Sequence, residues 1–103
     1  MPGPIAQGTL TSGGVATAGN ASDTMIVPTG MTQMRLTLTG LDGSNTVKTQ
    51  KRTAPSGAFV DQTTYNSDQS NVGVAVAAGE EWRVIDITHQ ATKDIRYKLS
   101  CEN

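Results

Sequence analysis

Residues 95–102 alternate without a break, with Ile95, Tyr97, Leu99 and Cys101 at one set of positions and Arg96, Lys98, Ser100 and Glu102 at the other. Successive side chains of a strand point to opposite faces of a sheet, so a hydrophobic period of two marks a strand with one buried face. A helix cannot use this pattern, because its buried stripe recurs at a period of about 3.6. The segment therefore requires a sheet with one covered face, and the rest of the chain must supply the cover.

That cover has to be built from little. The 103 residues make one domain of ordinary size, yet only 36% are hydrophobic and 4% aromatic. Phe59, Tyr65, Trp82 and Tyr97 are the aromatics, so the core rests mainly on Val, Ile, Leu, Met and Ala. Thin cores are commonly supplemented by disulfides, a metal or oligomerisation. One cysteine excludes an internal disulfide, and one histidine beside it is a poor metal set. No cofactor is expected, and a homo-oligomer is.

A net charge of −1 provides no basic footprint for nucleic acid. The run Lys48-Thr49-Gln50-Lys51-Arg52 reads as the solvent face of a strand. No segment approaches the ~20 apolar residues of a membrane span. Met1–Ala6 has neither the basic nor the apolar region of a secretory signal. A soluble protein made in the cytosol, with no nucleic-acid or membrane partner, is the expectation.

Residues 1–23 are rich in Thr, Ser, Gly and Asn, and read as an extended N-terminal arm with weak or edge strands. A β-sandwich domain is expected over 24–103. Gln33–Thr39 alternates with Met34, Leu36 and Leu38 inward. Leu41-Asp42-Gly43-Ser44-Asn45 reads as a hairpin turn, with Thr46–Arg52 as the returning strand. Pro55-Ser56-Gly57 is the next turn and Ala58–Tyr65 the next strand. Asn66–Asn71 reads as a polar loop, before the alternating Val72, Val74 and Val76.

Glu80–Thr88 is apolar on both faces, with Trp82 and Val84 on one and Ile85 and Ile87 on the other. The result is about seven or eight short strands and no helix. This is an all-β antiparallel sandwich or jelly-roll-like barrel, and spacing alone does not choose between jelly-roll and immunoglobulin-like topology.

No residue constellation points to catalysis. His89 would need a nucleophile, and Cys101 lies on the apolar face, where a thiol is inert. Asp42-Gly43-Ser44-Asn45 resembles a fragment of a calcium loop but lacks the full ligand series and its closing Glu. Glu80-Glu81 reads as a solvated strand entry. Trp82 is either a core or interface anchor, or, with Tyr65 as its companion, a stacking platform for a glycan.

The order from Val47–Arg52 through Ser56-Gly57, Phe59-Val60-Asp61 and Tyr65 to Trp82-Arg83-Val84 and Ile95–Ser100 is similar to a known group. Residues 33–103 resemble the small β-sandwich proteins encoded in tailed-phage virion gene clusters, including head-decoration proteins and related tail components. The resemblance implies a non-enzymatic bacteriophage virion protein, synthesised in the host cytoplasm, that decorates or stabilises the capsid. Its partners would be the major capsid protein or other virion proteins, and its own copies, as a trimer. The contact face would include Trp82, Ile85 and Ile87, with Ile5 and Leu10 from the arm. The alternatives are a glycan-binding module using Trp82 and Tyr65, or a head–tail joining or tail component assembling into a ring.

Overall fold

The computed structural model describes residues 2–11, 21–53, 57–88 and 94–102. Six strands occur among them: β1 (Pro2–Thr11), β2 (Met25–Ile26), β3 (Gln33–Arg52), β4 (Val60–Ala75), β5 (Glu81–Thr88) and β6 (Ile95–Glu102). Every pairing is antiparallel. The all-β expectation holds, and the strands form a nearly closed, barrel-like sheet.

β3 is the spine. Along one edge, its residues 33–39 pair with β6 and its residues 46–52 pair with β5. β4 follows its other edge. β1 lies beyond β6, and β2 beyond β5. Two leaves thus share the β3–β4 pair and curl over one core.

The core follows from the alternation. In β6, Ile95, Tyr97, Leu99 and Cys101 are buried while Arg96 and Lys98 are exposed. Met34, Leu36 and Leu38 of β3 and Ala6 and Leu10 of β1 join them from the same leaf. The second leaf contributes Met25, Val27, Val47, Trp82 and Val84. The leaves meet where the Cys101 thiol donates to Met25 Sδ at 3.6 Å. Each fully buried Leu or Met contributes about 2 kcal/mol relative to exposure. Gly8 stands opposite Tyr97, and a Cβ there would lie 3.4 Å from the phenol oxygen, so a larger residue would crowd the ring. The phenol in turn accepts the Asp23 N–H at 3.2 Å.

The expected hairpin turn at Leu41–Asn45 is absent, because β3 runs through it. The irregular residues are absorbed as bulges: the β3–β4 register shifts between Leu38 and Asp42 and again between Asp42 and Val47. Gly40 takes φ of +89°, which glycine adopts without a Cβ penalty. Asn45 Nδ2 donates to the Gly40 carbonyl at 2.9 Å, and the Leu41 N–H donates to Asp68 Oδ1 at 2.8 Å. Side chains thus satisfy backbone groups that a regular ladder would have paired. Similarly, Asn66–Asn71 is not a loop but the middle of β4, with Asn71 at φ of +54° marking its bulge. The two long strands each cover two of the short segments that the sequence pattern implies.

The residues expected as an arm include β1, an edge strand of this chain's own sheet, and its Ala6 and Leu10 belong to the common core.

Candidate interaction surface

The alternation in β5 resolves with Trp82 and Val84 inward and Ile85 and Ile87 facing out. Trp82 is only 3% exposed. Its Nε1–H donates to Glu80 Oε1 at 3.1 Å, and the Lys51 ammonium sits 5.6 Å from its ring centroid. Glu80 also accepts the Ala77 N–H at 2.8 Å and pairs with Lys51 at 3.1 Å. Burial raises the Glu80 pKa, but the Ala77 N–H, Lys51 and the indole N–H together outweigh it and hold the carboxyl below its ordinary range. Glu80 therefore clasps the turn before β5 to β3 and to the core tryptophan.

Glu80 and Glu81 were expected to be solvated; both are buried. Their charges are matched, because Glu81 Oε1 receives Arg52 Nη2 at 2.8 Å and Nε at 2.9 Å. Without those cations the strand could not take two carboxylates inside.

A polar ladder crosses the outside of the second leaf. Lys48 Nζ and Gln50 Nε2 donate to the two oxygens of Asp61, at 2.9 and 2.8 Å. The hydrogen bonds from Gln50 and then Lys48 lower the Asp61 pKa. Gln50 Oε1 accepts from Arg83 Nε at 2.9 Å. The guanidinium carbons of Arg83 and Arg52 lie 3.9 and 4.4 Å from the Phe59 centroid, a cation–π arrangement. The basic run is thus tied into its own sheet. Adjacent to it, Lys51, Arg52, Thr53, Gly57, Ala58, Val60 and Gln62 line a shallow cavity of about 230 Å³.

Of the residues expected at an interface, Ile5 and Ile87 are exposed and Ile85 is half-buried, whereas Trp82 and Leu10 lie in the core. Ile5 belongs to the first leaf and Ile85 and Ile87 to the second. The two expected platform rings also differ from the expectation: Trp82 is buried, and Tyr65 is half-buried against the core cluster. The buried Trp82 offers no open ring face on which a sugar could stack. Cys101 is buried, and desolvation raises its pKa. His89 lies outside the described residues. No group of three metal-ligating side chains occurs among the described residues.

What the sequence pattern does not reveal is the state of β4. Its 16 residues are exposed or half-exposed throughout, on both faces. Among the described residues it pairs only with β3, so its far edge has no strand beside it. Of its side chains, Tyr65, Val72 and Val74 lean on the core, and they do so incompletely. A stretch with so few buried side chains has no hydrophobic period, which is why its middle reads as a loop.

The chain matches no family model, no curated protein and no solved structure.

Proposed function

We propose that this chain is a non-enzymatic structural protein of a tailed-phage virion that decorates or stabilises the capsid through subunit contacts. The observation that carries the reading is β4: a long, largely exposed strand, tied along one edge to β3 and, among the described residues, unpaired along the other. Natural sheets rarely leave such an edge open without a use for it. The resemblance of residues 33–103 to small virion β-sandwich proteins supplies the setting, and the exposed Ile5, Ile26 and Ile87 supply further contact points on the outer faces. The major capsid protein and copies of this chain are the partners proposed. The alternative, a glycan-binding module, would have to do without the buried Trp82.

Mass spectrometry of purified particles tests the proposal. The expected result is a fixed copy number per capsid that survives density-gradient purification. A chain abundant in the lysate but lost from purified particles overturns it.

A further inference from the structure

We infer that the free edge of β4 pairs antiparallel with β4 of a second copy, joining two chains about a two-fold axis in one continuous sheet. The inference deepens the assembly reading above and rests on it for its biological setting.

Among the described residues the sheet ends in three edge strands, and they are treated differently. β2 is only two residues long. β1 carries Pro2 and Pro4, which lack the N–H a ladder needs. Short edge strands and edge prolines are devices by which proteins prevent strand addition. β4 has neither, and its sequence contains no Pro, Lys or Arg. Among the described residues it is the one long edge left receptive.

The charges on β4 narrow the occupant. Its two acids are Asp61 and Asp68. Both are engaged inside the chain, Asp61 by Lys48 and Gln50 and Asp68 by the Leu41 N–H. Between them stand Gln, Thr, Tyr, Asn and Ser, which can hydrogen-bond across an antiparallel pair as well as with solvent. A second β4 therefore meets no exposed cation and no unengaged acid. Because β1 and β2 are blunted, the other edge able to match β4 over its length is another β4. That makes the contact isologous, with each strand antiparallel to its mate. It also favours a two-fold over the trimer implied by the phage resemblance.

The molecule is 40 Å along its longest axis. An edge contact of that length and about 10 Å deep covers roughly 800 Å² in total, below the standard size of a stable interface. The dimer is accordingly reversible and concentration-dependent in solution.

Sedimentation equilibrium across a range of protein concentrations tests this on the full chain. Wild type should pass from monomer to dimer. Asn66→Lys with Ser70→Lys places two gatekeeper charges on the edge and should weaken dimerisation at least about tenfold, with an unchanged melting transition. The control, Gln7→Glu with Thr9→Glu on β1, which places its charges opposite Lys98 and Arg96, should leave it unaltered. A single-cysteine scan at Thr64, Asn66 and Ser70 gives a second readout that does not depend on charged variants folding. At least one position should form an inter-chain disulfide, and Thr9→Cys should form none.

A wild type that stays monomeric at every concentration overturns the inference, while particle association still stands or falls by its own experiment. Dimers that resist the β4 lysines, or yield to the β1 glutamates, also overturn it. A β4 dimer in a chain absent from purified particles keeps the inference and removes the virion reading.

Discussion

Gly40 and Asp94 are packed so closely that a Cβ on the glycine would overlap the Asp94 carbonyl oxygen. Gly40 is also at a positive φ that side chains resist. Gly40→Ala should therefore cost about 2–4 kcal/mol, combining backbone strain with the movement of the segment that enters β6. Urea denaturation reads the loss directly. Gly30 has a similar φ but open space around it, so Gly30→Ala should cost about 1 kcal/mol, from conformation alone.

Trp82 is the sole tryptophan and is buried against Met25 and Lys51. Its fluorescence should be blue-shifted in the folded protein and should not respond to added saccharides. Trp82→Ala should destabilise the monomer by about 3–5 kcal/mol, as for other large core aromatics. A red emission maximum that shifts with an oligosaccharide would contradict the core placement.

The Glu80 clasp makes an acid-side prediction. Its folded pKa lies below the ordinary 4.5. The carboxylate therefore contributes stability that is fully present above 4.5 and is lost as pH falls through the lower folded value. Glu80→Gln should flatten this limb of the stability–pH curve. Glu80→Ala should cost about 1–3 kcal/mol at neutral pH, because it strands the indole and Ala77 N–H groups. Denaturant midpoints collected between about pH 7 and about pH 3 separate the variants.

Cys101 is enclosed, and its thiol is held protonated by burial. A disulfide-exchange reagent should react with it slowly in the native protein and at the rate of a free thiol in denaturant. Fast native labelling would place it at an opening rather than in the core.

The sequence pattern discloses strands in proportion to how unevenly their two faces are buried. β6 is legible in full, because Ile95, Tyr97, Leu99 and Cys101 all face one core. β4 is not, because within residues 61–71 only Tyr65 and Gln69 are even half-buried, which leaves no alternation to read. Asp42-Gly43 misleads for a different reason: its turn chemistry equally suits a bulge, and only Asp68 and Asn45, satisfying Leu41 and Gly40, settle the choice. The Glu80 clasp and the Phe59 ladder depend on registers such as Lys51 opposite Trp82 and Gln50 opposite Arg83. No spacing along the chain could have given those, so the charges of Glu80 and Glu81 looked solvated.

β1 pairs with β6 through partners such as Ile5 and Ser100, at opposite ends of the sequence. β3 likewise waits for β5 and β6 before its other edge is filled. Little of this sheet can persist while the chain is still emerging from the ribosome, since each early strand lacks a neighbour made much later. Folding should wait for β6, and then proceed at the millisecond-to-second pace of β-proteins dominated by distant pairings. Until β6 docks, β1 and the first half of β3 are the segments exposed to misassociation, and the speed of that docking sets how much of the chain is recovered in native form.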